Sequence, residues 1–105
     1  MVKDARARFY YYAVQAGIPP LTQVVIIAQP LLKSRRSLPD VAACYPTVKA
    51  AIDGIVDAKV IADDTDRYLK ALLFLPAEIG KVEGLRLTIL PAQNDPRIYL
   101  EISVI

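Results

Sequence analysis

Pro20 and Pro30 enclose the segment that most restricts the fold of this chain. Between them, residues 24–27 read Val-Val-Ile-Ile, and four consecutive β-branched residues are typical of a strand. Because all four are apolar, we expect this strand to be well buried. Stretches of helical composition lie on both sides of this strand. The sequence therefore predicts a domain that combines helices with a sheet.

Two helices are predicted. The first spans about residues 2–16 and is ended by Gly17 and the following prolines. The second spans about residues 46–58 and begins with Pro46, since proline suits a first helical position. Besides the strand within residues 21–32, further strands are expected at residues 68–75, 85–90 and 97–105. This order predicts an α+β fold in a single domain, residues 1–105, with two helices and a mixed or mostly antiparallel sheet of about four strands.

Both helices carry features that bear on packing. The aromatic block of residues 9–12 covers nearly the whole circumference of the first helix, so we expect that helix to pack on more than one side. We assign Tyr10, Tyr11 and Tyr12 to packing or dimer contacts rather than to base stacking. Gly54 in the second helix costs about 1 kcal/mol relative to alanine, which indicates a close neighbour.

Composition excludes several kinds of chemistry. The chain contains no histidine and one cysteine, Cys44, so Ser–His and Cys–His nucleophiles and histidine-bound zinc are ruled out. We expect Cys44 to be a small buried residue in a reduced, cytoplasmic protein. No apolar run approaches the roughly 20 residues of a membrane helix, so no membrane is expected as partner. An apolar content of 54% in 105 residues predicts a homodimer that hides part of this surface.

Charge is divided unevenly along the chain. Residues 1–39 carry six basic side chains and one acid, whereas residues 40–66 carry six aspartates and two lysines. A carboxylate cluster beside a basic segment suits a metal-dependent enzyme that acts on a polyanion. A solvated loop and a charged helix face explain the same pattern, and spacing alone leaves both interpretations open.

The acidic residues that draw attention are Asp40, before the second helix, and the adjacent Asp63 and Asp64 after it. Hard cations such as magnesium prefer oxygen ligands gathered from separate elements. Because a 13-residue helix is roughly 20 Å long, Asp40 and Asp64 meet only if residues 59–64 fold back along the helix. Aspartate is also a common turn residue, so the pair alone does not decide between a metal site and a turn. Lys49 and Asp53 are four residues apart and share one side of the helix.

Residues 46–58, PTVKAAIDGIVDA, together with VIADD at residues 60–64, resemble the signature of RusA-type Holliday-junction resolvases, which are small, mostly phage-borne endonucleases. The pattern is an acidic motif, a helix lysine, an aspartate one turn later and an Asp-Asp pair after a short apolar segment. The similarity extends over about residues 5–90, and its specific part is residues 40–64.

This resemblance implies a RusA-like homodimer that binds four-way DNA junctions in recombination and repair. It would cut them by paired symmetric nicks with magnesium, or with manganese in its place. A protein of this kind is expected in the cytoplasm of a bacterial host, with a phage or prophage origin.

The resemblance also implies roles for individual residues. Asp64 and Asp40 would be catalytic metal ligands, with Asp63 as a further ligand or support. Lys49 would be catalytic and meet the scissile phosphate. Asp53 would orient Lys49 rather than bind metal.

Basic residues near these acids are candidate DNA contacts. Lys33, Arg35 and Arg36 precede Asp40, and Arg67 follows the Asp-Asp pair. Phosphate contacts of this kind position a nucleic acid without reading its sequence.

The chain departs from the family pattern in two places. The family usually places a second aspartate between the first acid and the helix, whereas residues 41–45 contain none. Family members also usually have a strand ahead of the first helix, so we expect a member shortened at its N-terminus. The alternative hypothesis is a catalytically degenerate dimeric module of the same fold that binds branched DNA or a protein without cutting.

Overall fold

A computed structural model describes residues 3–34, 44–92 and 100–104 of the chain. In chain order the helices and strands are α1 (Ala5–Gln15), β1 (Val24–Leu32), α2 (Tyr45–Asp57), β2 (Leu69–Phe74), β3 (Glu78–Ile79), β4 (Gly84–Pro91) and β5 (Leu100–Val104). The predicted helices and longer strands are therefore present, with ends that differ by a few residues. The short strand β3 was not predicted, because two residues are too few to show a period.

The strands form one mixed sheet in the order β2-β1-β4-β5. β1 runs parallel to β2, to which it is connected through α2, and antiparallel to β4, which is antiparallel to β5. β3 adds a short parallel pairing to the last residues of β1, beyond the end of β2. This arrangement confirms the α+β prediction with a mixed sheet.

Both helices cover the same face of the sheet and enclose one hydrophobic core. Val24, Ile26 and Ala28 of β1 point into this core and are fully buried, whereas Val25 and Ile27 between them are half-buried on the other face. This alternation follows from the pleat, which directs successive side chains to opposite faces. The predicted burial of β1 is thus complete on one face and partial on the other.

The prediction that α1 packs on more than one side is wrong. Only a narrow stripe of this helix is buried, formed by Ala5, Phe9 and Ala13 at a spacing of four residues. Tyr11 is 56% exposed, and Tyr10 and Tyr12 are 45% and 44% exposed. Two alanines in the stripe allow α1 to approach α2 closely, and the helix then has a single contact face.

The close neighbour predicted for Gly54 is α1. A Cβ atom at Gly54 would overlap the carbonyl oxygen of Arg6 and lie 3.0 Å from the backbone nitrogen of Tyr10. Both atoms belong to the backbone of α1 and cannot rotate away. The glycine therefore sets the distance at which the two helices cross.

Cys44 is 1% exposed at the start of α2, as predicted. No helix in the described part of the chain is long and apolar enough to cross a membrane.

Candidate functional site

The C-terminal end of α2 directs the following loop back along the helix. The amide of Lys59 donates to the carbonyl of Val56 at 2.9 Å, and the amide of Val60 donates to that of Ile55 at 3.0 Å. These two bonds form a Schellman motif, in which the residue after the cap is left-handed. Lys59 takes this conformation with φ 64°, although glycine is preferred there. Val60 and Ile55 are fully buried and anchor the turn.

The returning loop brings Asp64 to Lys49, and this contact is the centre of the candidate site. Lys49 Nζ donates to Asp53 Oδ1 at 2.7 Å within α2 and also to Asp64 Oδ2 in the loop. Asp53, the other partner of this ammonium, is four residues before the last residue of α2, so the loop runs back about 6 Å along the helix. The expected fold-back of residues 59–64 is therefore present, and the lysine lies between two carboxylates.

The pKa values in this cluster follow from the ion pairs. Hydrogen bonds that Lys49 donates to Asp53 and then to Asp64 raise the pKa of Lys49 above its ordinary value. The hydrogen bond from Lys49 lowers the pKa of the Asp64 carboxyl, against a smaller opposing effect of burial. All three side chains remain partly open to solvent, so the cluster is accessible.

The two adjacent acids offer oxygen donors of the kind that magnesium takes. Asp63 Oδ1 accepts the backbone N–H of Asp64 at 2.8 Å, which fixes the turn, and Asp64 Oδ2 accepts Lys49. Among the residues that the structure describes, no three His, Cys, Asp or Glu side chains gather around one point. The donor type fits a hard cation, and magnesium is commonly held by one or two carboxylates together with water and a substrate phosphate. Asp40, the third predicted ligand, lies outside the described ranges.

Of the four predicted DNA contacts, the structure describes Lys33 and Arg67, which lie in different regions. Arg35 and Arg36 also lie outside the described ranges. Lys33 is exposed just after the end of β1, whereas Arg67 is exposed in the turn before β2, beside the start of β1. Since β1 has nine residues, its two ends are about 30 Å apart. Of these two described residues, Arg67 is the one on the side of the Asp63-Asp64 loop, and its guanidinium lies 5.7 Å from the ring centre of Tyr68.

One prominent ion pair had no counterpart in the sequence analysis. Arg6 of α1 donates to both carboxylate oxygens of Asp57 at the end of α2, at 2.7 and 3.0 Å. These residues are 51 positions apart, and only the crossing of the helices at Gly54 brings them together. The Arg6 hydrogen bond lowers the pKa of the Asp57 carboxyl. Because both side chains are exposed, we interpret this ion pair as a structural contact between the two helices rather than as a catalytic group.

The site thus combines the Lys49 ammonium group with the two carboxylates that it contacts, those of Asp53 and Asp64, and Asp63 lies next to Asp64 in the turn. The ammonium can offset the charge of a bound phosphate, and the carboxylates at residues 63 and 64 can contribute to holding a cation. No family model matches this chain, and neither a curated protein nor a solved structure does.

Proposed function

We propose that this protein is a magnesium-dependent endonuclease that resolves four-way DNA junctions by paired symmetric nicks. The observation that supports this most is the convergence of Lys49, Asp53 and Asp64. The resemblance to RusA-type resolvases implies a functional role for each of these three residues. Helix α2 and the returning loop bring Lys49 into contact with both aspartates. A chance match of sequence letters would not require residues 49 and 64 to touch.

Each residue has a distinct task in this proposal. Asp53 holds the Lys49 ammonium on one side of α2, so that its charge stays at the site when Asp64 takes another partner. Lys49 then offsets the charge of the scissile phosphate. Asp64 and Asp63, with Asp40, would hold magnesium, which when bound activates water and stabilises the leaving oxygen. Asp63 also fixes the turn through its bond to the Asp64 amide.

DNA binding is proposed to use cations along the length of β1. Arg67 would contact a phosphate beside the acidic loop, and Lys33 with Arg35 and Arg36 would contact a different part of the junction. A four-way junction has several duplex arms, so contacts about 30 Å apart suit it. We propose a homodimer, because two copies of the site would place one nick on each of two strands.

A second candidate is a module of the same fold that holds branched DNA, or a protein partner, without cutting it. Two observations favour it. Lys49 already neutralises one of the two adjacent carboxylates. Residues 41–45 also lack the acid that resolvases usually carry there.

The deciding experiment incubates the protein with a labelled four-way junction, with magnesium, with manganese and with a chelator. Paired nicks that require the metal support the endonuclease. A shifted junction that stays intact with both metals rejects the endonuclease and supports the binding module. A protein that neither binds nor cuts the junction would lack both DNA functions. That result would leave protein binding as the remaining candidate. A linear duplex of the same sequence is the matched control for junction specificity.

The same binding assay tests the basic segment. Replacing both Arg35 and Arg36 with alanine should weaken binding and make the plot of log affinity against log salt less steep. The slope should fall by about 0.9 for each duplex phosphate that the variant no longer neutralises. An unchanged affinity and slope would remove these two residues from the proposed DNA surface.

A further inference from the structure

The acidic loop, residues 62–67, is anchored at both ends to the segment that leads into β1. At its first end, the amide of Leu21 donates to the carbonyl of Val60 at 2.7 Å. At its second end, the amide of Val24 donates to the carbonyl of Tyr68 at 2.8 Å. The position of the loop therefore depends on contacts with the start of β1 as well as on α2.

A side chain adds a further contact at the second end. The side-chain amide of Gln23 donates to the backbone carbonyl of Arg67 at 3.2 Å, across 44 positions of sequence. The backbone carbonyl of Gln23 accepts the amide of Ala92 at 2.8 Å, just after the end of β4. Gln23 thus connects the acidic loop to a point that two neighbouring strands of the sheet hold in place.

The Arg67 carbonyl belongs to a turn that closes next to Asp64. The amides of Tyr68 and Leu69 both donate to the carbonyl of Thr65, at 3.0 and 2.8 Å. Because Thr65 directly follows Asp64, a displacement of this turn changes where the Asp64 carboxylate lies relative to α2.

The pairing of β1 with β2 is irregular where the turn joins β2. Val24 lies opposite Leu69 and Val25 lies opposite Ala71, which leaves Lys70 as an extra residue on β2. An extra residue interrupts the ladder of hydrogen bonds and allows the strand to bend. A side-chain hydrogen bond beside this interruption therefore restrains the loop where the ladder itself is weakened.

We propose that Gln23 is a positioning residue for the candidate site: through the carbonyl of Arg67, it keeps the acidic loop where Asp64 contacts Lys49. The functional importance of this role rests on the proposed function, because that function uses the same Lys49–Asp64 contact. Residue 23 lies outside residues 40–64, the specific part of the RusA-like pattern, so the resemblance does not assign it.

Gln29 provides a matched comparison on β1. Its side-chain amide donates to the carbonyl of Pro76 at 3.0 Å, which is the same kind of bond at the other end of β2. The six residues between the two glutamine positions correspond to about 20 Å of extended chain. Loss of the Gln29 bond should therefore disturb the sheet without reaching the acidic loop.

The test compares Gln23→Met with Gln29→Met in the full chain by NMR. Methionine is close to glutamine in length but has no hydrogen-bond donor. The readout is the nitrogen chemical shift of the Lys49 ammonium group, with the wild type and Asp64→Asn as references for the intact and the altered contact. Gln23→Met should move this shift toward its value in Asp64→Asn, whereas Gln29→Met should leave it at the wild-type value.

A second variant, Gln23→Glu, keeps the shape of the side chain and replaces the donor with an acceptor, so it should act in the same direction. Far-ultraviolet circular dichroism identifies which variants fold. An unchanged Lys49 shift in a folded Gln23 variant overturns the proposal. An equal change in Gln29→Met also overturns it, since the effect would then be a general loosening of the sheet.

The NMR measurement needs neither DNA nor metal, so it is independent of the junction assay. A wild type that never cuts, together with a Lys49 shift that responds to Gln23→Met alone, rejects the endonuclease and keeps the positioning role. A wild type that cuts, together with a Lys49 shift that Gln23→Met leaves unchanged, does the reverse.

Discussion

Lys49 of α2 forms an ion pair with Asp64, which follows it by 15 residues and lies beyond the end of the helix. The contact exists because the Schellman turn at Lys59 sends the chain back along α2 rather than onward. It connects two elements of a sequence pattern that resembles a nuclease motif. The remaining partner of Lys49, Asp53, is on the same helix and needs no turn.

Asp64→Asn should abolish cleavage of a four-way junction and leave binding intact or slightly tighter. Asparagine keeps the size of the side chain but removes the charge that a hard cation requires. The removal of one negative charge also reduces repulsion toward phosphate. Gel-based cleavage and binding assays measure both properties. Asp66→Asn, an exposed change in the same loop, is the control and should cut like the wild type. Equal cleavage by both variants would show that Asp64 is a turn residue only.

The Lys49–Asp64 pair should make a pH-dependent contribution to stability. Because the folded-state pKa of Asp64 is below its ordinary value of 3.8, this contribution is present above pH 3.8 and is lost as the pH falls further. Both side chains are partly exposed, so the pair contributes at most about 1 kcal/mol. Urea unfolding of wild type and Asp64→Asn should differ at pH 7 and converge at the lowest pH at which both fold.

Lys49→Gln provides a direct readout of the same pair. In this variant the pKa of Asp64 should rise toward 3.8, because the Lys49 hydrogen bond that mainly lowers it is gone. The NMR chemical shift of the Asp64 carboxyl carbon measures this pKa. Lys81→Gln, in an exposed loop, should leave that pKa where it is in the wild type. If the pKa of Asp64 in Lys49→Gln equals that in the wild type, the ion pair does not form in solution.

Gly54→Ala should destabilise the fold by about 1–3 kcal/mol, as overpacking does in a rigid contact. Alanine favours a helix by about 1 kcal/mol over glycine, but its Cβ would collide with the α1 backbone at Arg6 and Tyr10. Chemical denaturation measures the change. Gly80→Ala is the control, since nothing lies within 4 Å of the added carbon, and it should shift stability by less than about 0.5 kcal/mol. A more stable Gly54→Ala variant would disprove the close crossing.

Lys59→Gly should stabilise the protein by about 0.5–1 kcal/mol. A left-handed backbone is unfavourable for lysine and natural for glycine, and this gain exceeds the extra freedom of glycine in the unfolded chain. Lys59→Ala separates backbone strain from charge, because alanine keeps the strain and removes the ammonium group. Thermal unfolding should rank glycine above both lysine and alanine. A glycine variant no more stable than the alanine variant would contradict the left-handed turn.

The sequence by itself determined the local elements. Proline-bounded β-branched residues predict β1, and Pro46 with the apolar spacing of residues 48–55 predicts α2, because such signals act over a few neighbouring residues. The pairing of Lys49 with Asp53 also follows from helical spacing alone. Even the close contact at Gly54 is indicated by its cost within a helix, although the identity of the neighbour is not.

Only the tertiary structure decided which distant residues meet. The pattern on α1 was misjudged because an aromatic block has the same composition whether it is buried or exposed. Packing against α2 and β5 buries only Ala5, Phe9 and Ala13 of this helix. The Arg6–Asp57 pair depends on the helix crossing, and the Lys49–Asp64 pair depends on a turn that lysine rarely makes. Both described helices pack on the same side of the sheet, which also depends on the assembled fold. Local propensity cannot report these outcomes, since each is a property of how the elements pack together.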